Sequence, residues 1–326
     1  MRGKKVLCSI FSMILMSTLL LSCSTSSKKT KIGVLQLIKH PALDQANEGF
    51  IDALKDRGYE DGDKIEIDQK NAQGKIDVAN QIAGQFNSDK KDLIFAIATP
   101  SAQAAYNATK DIPIVFSAVT DPVSDGLAES LESSNNNVTG TSDAVNIDEQ
   151  LELFRKIVPN AKKLGFIYTT SETNSVNQLN ELKKVAPKYD FEIKEIGVAN
   201  INEINQNLSN ALGDIDALYA PSDNNVAASY ELVGKKCIEK NIPVLGAEST
   251  VLKYGGLVSK SIDYYELGKM AGEKAADIIE GKKPSDIKIE TMKELKISIN
   301  TDAAKKLSIT IPDEILEKAE KVTGGV

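Results

Sequence analysis

The chain has 326 residues, of which 41% are hydrophobic and 26% are charged, and its formal net charge at pH 7 is −7. This composition is that of a packed globular protein and excludes a disordered chain. The acidic balance, without any basic run, excludes nucleic acid as an expected partner. Phosphate-binding loops, dinucleotide fingerprints, CxxC pairs and HExxH zinc motifs are absent from the sequence, so no cofactor and no metal are expected.

The N-terminus predicts a lipoprotein signal peptide over residues 1–22. Arg2, Lys4 and Lys5 precede an apolar run that is short for a transmembrane helix. Cys23 follows at the expected cleavage position, where we expect lipid to be attached, and residues 23–31 then form a polar, lipidated tether. An uncleaved membrane anchor is the alternative. The pattern therefore predicts an extracytoplasmic protein held by lipid at the outer face of the cell membrane.

The body of the chain repeats itself. Residues 31–35 resemble 163–167, and similar pairs follow in the same order at 65–67 and 191–193, 92–96 and 216–220, and 112–115 and 242–245. Short apolar runs alternate with helical patterns in both halves, which predicts βαβ units and parallel sheets covered on both faces. The predicted helices span residues 43–57, 76–86, 101–110, 176–188, 201–212 and 224–240.

The last seventy or so residues are too few for a third repeat. They read as a strand (257–262), a helix (264–281), a strand (294–299) and two helical stretches (302–307 and 313–321). The predicted fold class is α/β, with two doubly wound parallel-sheet lobes joined by a hinge that the chain crosses several times. The predicted N-terminal lobe comprises residues 32–141 and 262–290, and the C-terminal lobe comprises residues 142–261 and 291–326.

Two such sheets would face each other across a cleft at the carboxyl ends of their strands, where loops and helix starts converge. The loops expected at this cleft are rich in hydroxyls, amides and carboxylates, which orient small polar ligands. The candidate ligand-binding residues are Gln36, His40, Pro41, Thr99, Ser101, Ser117, Thr120, Asp121, Ser171, Asn174, Ser175, Asp223, Asn224, Glu248 and Asp263. Helix capping and plain turns are the alternative interpretations of these loops.

Catalysis is not expected. The sequence has one histidine, so a Ser-His-Asp triad would have to be built around His40, and no paired nucleophile and base can be recognised. Asp61-Gly62-Asp63 resembles part of a calcium loop but lacks the remaining ligands and is interpreted as a turn. The third cysteine, Cys237, has no partner for an internal disulfide.

Several segments together carry a family resemblance, and they lie in residues 32–44, 99–104, 112–122, 137–140 and 262–268. These segments resemble the substrate-binding lipoproteins of one family of ABC importers. The resemblance implies the type I periplasmic-binding-protein fold, ligand capture by hinge closure, and an ABC permease with its ATPase as partners. Several members of that family bind tryptophan, phenylalanine or tyrosine, so an aromatic amino acid is the expected ligand, bound by a monomer.

An amino acid ligand would use the candidate residues in two groups. Its carboxylate would meet Thr99, Ser101 and Thr120 at helix starts, and its ammonium would meet carboxylates and amides. The acceptors considered for the ammonium are Asp121, Asp223 and Asn224, with Ser171, Asn174 and Ser175 closing from the second lobe. A sugar or nucleoside receptor, a sensor or effector-binding module, a regulator's effector core and an extracellular enzyme are the alternatives. The absence of tryptophan counts against the sugar.

Overall fold

A computed structural model describes residues 29–325, so the predicted signal peptide and Cys23 lie outside the described residues. The strands in chain order are β1 (Thr30–Gln36), β2 (Ile65–Asn71), β3 (Leu93–Ile97), β4 (Ile114–Val119), β5 (Val138–Ser142), β6 (Lys163–Thr169), β7 (Glu192–Val198), β8 (Ala217–Ala220), β9 (Val244–Gly246), β10 (Val258–Ser261), β11 (Glu290–Thr291), β12 (Lys296–Asn300) and β13 (Glu320–Val322). Strands and helices alternate along most of the chain.

The α-helices in chain order are α1 (Pro41–Asp56), α2 (Ile76–Ser88), α3 (Thr99–Ala108), α4 (Ile147–Ile157), α5 (Thr173–Val185), α6 (Ile204–Ala211), α7 (Asn224–Ala227), α8 (Tyr230–Glu239), α9 (Tyr264–Ile279), α10 (Thr301–Lys306) and α11 (Asp313–Leu316). Short 3-10 helices follow α5, precede α6, and lie at Ser249–Tyr254 and Pro284–Asp286. Most of the helices predicted from the sequence are present, with ends that differ by a few residues, but the helix predicted over residues 224–240 is divided into α7 and α8.

The strands form two sheets. The first sheet has the spatial order β11-β5-β4-β3-β1-β2, and every pair in it is parallel. The second sheet has the order β13-β12-β10-β9-β8-β6-β7, in which only the β10 and β12 pair is antiparallel among the described strands. The predicted α/β fold class with two mainly parallel sheets is therefore confirmed.

Equivalent contacts in the two sheets agree with the internal repeat. The Asp92 carboxylate before β3 accepts a hydrogen bond from the backbone N–H of Lys31 in β1, at 2.8 Å. The Asp216 carboxylate before β8 accepts one from the backbone N–H of Lys163 in β6, also at 2.8 Å. The same strand order and the same anchoring carboxylate thus recur in both sheets.

The chain passes between the sheets three times within the described residues. It leaves the first sheet after β5, returns after β10, and leaves again between β11 and β12. Helix α9 follows β10 and packs against α1 beside the first sheet, where a Cβ on Gly268 would lie 2.0 Å from the Ala46 carbonyl oxygen. Glycine is required at that crossing because the two helix backbones touch.

One predicted element is different in the structure. The helical stretch predicted over residues 313–321 ends at Leu316, and Glu320–Val322 forms strand β13 parallel to β12. Strand β13 lies at the edge of the second sheet, where β12 offers an unpaired backbone. Pairing with this edge outweighs the local helical pattern.

Candidate ligand-binding site

The carboxyl ends of both sheets face each other and enclose polar side chains. On the first sheet, β3 leads directly into α3 through Ala98, which has a positive φ of 82° and a ψ of 153°. Thr99 and Ser101 lie in the first turn of α3 with 1% and 0% of their surfaces exposed. Neither hydroxyl has a hydrogen-bond partner among residues 29–325. Buried hydroxyls normally find partners, so this helix start has the form of a ligand contact.

The second sheet presents a carboxylate network at the starts of α5 and α7. The Glu172 carboxylate accepts hydrogen bonds from the Asn224 backbone N–H at 3.2 Å, from the Asn174 side chain at 3.2 Å, and from the Asn224 side chain. Asp223 caps α7 through the Val226 N–H at 2.9 Å. Both carboxyl groups are buried, and together they fix the two helix starts in the cleft.

A third group of acids lies where the chain passes between the sheets. The Asp143 carboxylate follows β5 and accepts hydrogen bonds from the Thr120 hydroxyl at 2.9 Å and the Tyr264 hydroxyl at 2.8 Å. Glu248 follows β9 and accepts one from Thr250 at 2.8 Å. Asp143 and Glu248 are close enough to repel each other, and both are nearly inaccessible to water.

Four carboxyl groups are therefore buried around one cleft: Asp143, Glu172, Asp223 and Glu248. No lysine or arginine within residues 29–325 forms an ion pair with any of them. Burial, together with repulsion from neighbouring carboxylates, raises the pKa of Glu172 and of Glu248 to about 8. Burial also raises the pKa of Asp143 and of Asp223. The cleft therefore favours positive charge from a ligand or from protons.

His40 faces the cleft from the start of α1. Burial lowers the pKa of its imidazole to about 4, and the nearby Asn224 side chain opposes that shift in part. Neither ring nitrogen makes a hydrogen bond of good geometry to another residue of the described chain. The ring is therefore neutral at pH 7, with one donor and one acceptor available to a ligand.

The sheets also touch at the mouth of the cleft. The Thr173 hydroxyl in the second sheet's α5 donates a hydrogen bond to the Asp125 carboxylate in the loop after β4, at 2.7 Å. The Gln103 side chain on α3 donates to the Asp125 carbonyl at 3.2 Å and to the Thr173 hydroxyl at 3.4 Å. We call Asp125, Thr173 and Gln103 the mouth contact. This contact exists only when the two sheets are close together.

The predicted site residues fall into three groups. His40, Thr99, Ser101, Asn174, Asn224 and Glu248 are buried at the cleft. Others are already bonded within the protein, and all of these except the half-buried Thr120 are buried. Gln36 bonds the Ile38 carbonyl and Asp44, Ser117 bonds Thr141, Ser175 bonds Asp223, Asp223 also bonds Thr169 and Val226, and Thr120 bonds Asp143.

The remaining predicted residues lie at the edge. Asp121 accepts a hydrogen bond from the Ser124 backbone N–H within its own loop and is half-buried. Asp263 caps α9 and pairs with Lys296 at 3.2 Å. Pro41 is half-buried at the first position of α1, and Ser171 is exposed.

Sequence reasoning missed Asp143, Glu172, Ser222 and Tyr264. Asp143 and Glu172 look like ordinary surface acids in their polar segments. The signal that could have found Glu172 is its position just after a strand and at the N-cap of α5, the same position that drew attention to Asp223. The Ser222 hydroxyl is buried and has no partner in the described chain.

The two mainly parallel sheets with interleaved helices define the periplasmic-binding class of fold, which solved binding proteins of low sequence identity share. The chain belongs to the family of ABC transporter substrate binding proteins, whose model matches residues 31–323. It is 47% identical over 322 residues to a tyrosine-binding protein of Clostridioides difficile (strain R20291), covering 94% of this chain and 93% of that protein.

Two solved structures are informative about the arrangement of the sheets. An ABC domain from Streptococcus pneumonia in complex with L-Trp is 34% identical, with a TM-score of 0.87 and coverage of 90% of this chain and 100% of that one. The ligand-free, open structure of a substrate binding protein with adhesive properties from Clostridium difficile is 46% identical, with a TM-score of 0.68 and coverage of 90% and 99%. The sheets of this structure are therefore arranged more like those of the complex with L-Trp than like those of the open structure, in agreement with the mouth contact.

No helix within residues 29–325 is both long and apolar enough to cross a bilayer. The same part of the chain holds no cluster of three or more histidine, cysteine, aspartate or glutamate side chains that could bind a metal ion.

Proposed function

We propose that this protein captures an amino acid, with an aromatic side chain, between its two sheets and delivers it to an ABC permease. The observation that carries the proposal is the pairing of two complementary ends in one cleft. One end offers unpartnered hydroxyls at a helix start, and the other offers buried carboxyl groups without a cation. A zwitterion with adjacent carboxylate and ammonium groups satisfies both ends at once.

The ligand carboxylate belongs at the start of α3. Thr99 and Ser101 contribute hydroxyl donors there, and the first turn of a helix also presents free N–H groups and the positive end of the helix dipole. The strained backbone at Ala98 supports this role, because backbone strain of this kind occurs where a turn holds functional groups in position.

The ligand ammonium belongs between Asp143 and Glu248. These two carboxyl groups repel each other, and each already accepts hydrogen bonds from neutral hydroxyls only. An ammonium between them would remove the repulsion and supply the missing cation. Asp223, in contrast, already accepts four hydrogen bonds from the protein, so we assign it to holding the site rather than to the ligand.

Capture follows from the arrangement of the chain. Residues from both sheets surround the cleft, so all the ligand contacts exist together only in the closed form. Binding therefore shifts the equilibrium from open to closed, and we propose that the permease recognises the closed form. The relative named for tyrosine binding and the structural neighbour with L-Trp support an aromatic amino acid as the ligand.

Calorimetry with a panel of amino acids, sugars and nucleosides tests the ligand class. L-tyrosine, L-tryptophan or L-phenylalanine should bind, and S101A should weaken that binding about tenfold or more, because a buried hydrogen bond to a charged group is lost. S171A is the matched control, since Ser171 is exposed and should leave affinity unchanged. Binding of only a sugar or a nucleoside would refute the amino acid ligand, and equal effects of both variants would refute the role of Ser101.

We also propose that the protein is anchored by lipid on Cys23, faces the outside of the cell, acts as a monomer and works with an ABC permease and its ATPase. The signal-like sequence of residues 1–23 and membership of the substrate-binding family support this proposal. Metabolic labelling with a fatty acid should mark the wild-type protein, and C23S should abolish the label. Unlabelled wild-type protein would refute the anchor without affecting the ligand assignment.

A further inference from the structure

Glu172 is an acid in an entirely neutral set of donors. One carboxylate oxygen accepts from Asn174 and from the backbone and side chain of Asn224, and the other accepts from the Asn225 side chain at 3.4 Å. Only 2% of its surface is exposed. A buried carboxylate that has amide donors but no cation is costly to keep ionised.

The neighbouring charges make ionisation harder. Asp223 is the closest acid, and its carboxylate accepts from the Thr169 N–H at 2.6 Å, the Thr169 hydroxyl at 2.9 Å, the Ser175 hydroxyl at 2.7 Å and the Val226 N–H at 2.9 Å. Two of those four donors are backbone N–H groups at a helix start or strand end, which stabilise an anion. Burial raises the pKa of Asp223 too, but these four hydrogen bonds oppose that rise, so Asp223 is easier to keep ionised than Glu172.

Other titratable groups around this pair supply no positive charge. His40, which faces Asn224 from the start of α1, is neutral because burial lowers its pKa. Glu248 and Tyr230 approach Asp223 from the loop after β9 and from α8, and neither is a cation. Asp143 faces Glu248 from the segment after β5.

Two donors of Glu172 contact the opposite sheet. Asn225 lies against Gly74 in the loop after β2, where an added Cβ would be 2.9 Å from the Asn225 side-chain oxygen. Asn224 faces His40 of the first sheet. Both contacts would be lost when the sheets separate, which would open this corner of the cleft to water.

We propose that closure around the ligand takes up one proton, which the Glu172 carboxyl holds, so that Glu172 is a positioning residue whose protonation is part of the closed state. This inference rests on the proposed function, because it concerns the same cleft. The proton uptake makes the affinity for an amino acid depend on pH, in a range where the ligand's own charges do not change.

The sign of the pH dependence follows from the direction of the shift. Burial raises the pKa of Glu172 to about 8 in the closed form, compared with its usual value of 4.5. Below about pH 8 closure must therefore take up a proton, so affinity rises as pH falls from 8 toward 6.5, by at most about tenfold per pH unit. Glu248 does not add a second proton if the ligand ammonium keeps it ionised. Below pH 6.5, His40 opposes this rise in affinity, because closure lowers the pKa of its imidazole.

Calorimetry with L-tyrosine and L-tryptophan at pH 7.5, in phosphate and in Tris, measures the proton directly through the different ionisation enthalpies of the buffers. We expect uptake of about 0.75 proton per ligand, because a carboxyl with a pKa of about 8 is about three-quarters protonated at pH 7.5. E172Q should take up almost none, and its affinity should stay level between pH 6.5 and 8.5. E181Q, at an exposed position on α5, should behave as the wild type. Absence of uptake by the wild type, or unchanged uptake by E172Q, would overturn the inference.

Two further measurements keep the inference separate from the identity of the ligand. If neither amino acid binds, the proposed ligand is wrong. Small-angle scattering of the ligand-free protein then tests whether closure takes up a proton. The radius of gyration should decrease from pH 8.5 to 6.5 in the wild type and should decrease less in E172Q, where Glu248, without a ligand ammonium, still takes up a proton. Equal values at both pH values in the wild type would overturn the inference. If E172Q does not fold, infrared spectroscopy of the wild type replaces it. The band of a protonated carboxyl should appear when the protein closes, and absence of that band would overturn the inference.

Discussion

Thr173→Val removes one hydroxyl from the mouth contact and changes little else. The Thr173 hydroxyl donates to the Asp125 carboxylate at 2.7 Å and accepts from Gln103 at 3.4 Å. A hydrogen bond to a charged group contributes about 1.5 to 3 kcal/mol. Thr173 is exposed, so solvent screening reduces this to about 1 to 1.5 kcal/mol. Only the closed form has the contact, so the whole loss acts on closure.

The dissociation constant of T173V should therefore rise about 5- to 12-fold, because 1.4 kcal/mol corresponds to a factor of ten. The change should appear mainly in the dissociation rate, since the open form that receives the ligand is unaffected. Calorimetry and stopped-flow measurements with L-tyrosine provide both values, and thermal unfolding without ligand should be unchanged.

Thr173→Ser is the control, because it keeps the hydroxyl in the same position. T173S should bind as the wild type. If T173V also binds as the wild type, the mouth contact does not contribute to closure. If T173S is as weak as T173V, the effect comes from the lost methyl packing and not from the hydrogen bond, and the reasoning from the Asp125 contact fails.

Two further predictions concern packing and the only histidine. G268A should lower the free energy of unfolding in urea by about 3 kcal/mol or more, because its Cβ would lie 2.0 Å from the Ala46 carbonyl oxygen. G84A is the control: its Cβ meets open space on α2, so it should raise the free energy of unfolding by about 0.5 to 1 kcal/mol. Burial lowers the pKa of His40 to about 4, so closure must release its proton as pH falls below 6.5. The ratio of H40Q affinity to wild-type affinity should therefore rise from pH 6.5 to 4.5 in calorimetry, and a constant ratio would contradict the burial of a neutral ring.

Much of the fold could be predicted because its information is local. Apolar runs such as residues 93–97 are continuous, since both faces of a parallel strand are covered, and the helices between them have their own periodicity. The internal repeat then gave the order of the elements. The strand β13 could not be predicted, because its pairing with β12 depends on an edge that only the folded second sheet provides.

About half of the candidate site could be predicted for a similar reason. Thr99, Ser101 and Asn224 lie where a strand leads into a helix, and parallel sheets gather such junctions at one edge. Asp143 and Glu172 could not be distinguished from surface acids, since their burial depends on contacts with residues that are distant in the sequence, such as Tyr264 and Asn224. The sequence therefore indicates which residues lie at the cleft. It is less informative about which of those residues are buried there.

Asp223 illustrates the difference between position and chemistry. The sequence selected it as a partner for the ligand because an acid at a helix start after a strand points into the cleft. In the structure its carboxylate accepts four hydrogen bonds from Thr169, Ser175 and Val226, which oppose the rise that burial causes in its pKa. Burial is the main cause that raises the pKa of the neighbouring Glu172, and negative charge on Asp223 adds to it. If Asp223 acts on binding through Glu172, as the proposed assignment implies, loss of its charge should lower the proton uptake.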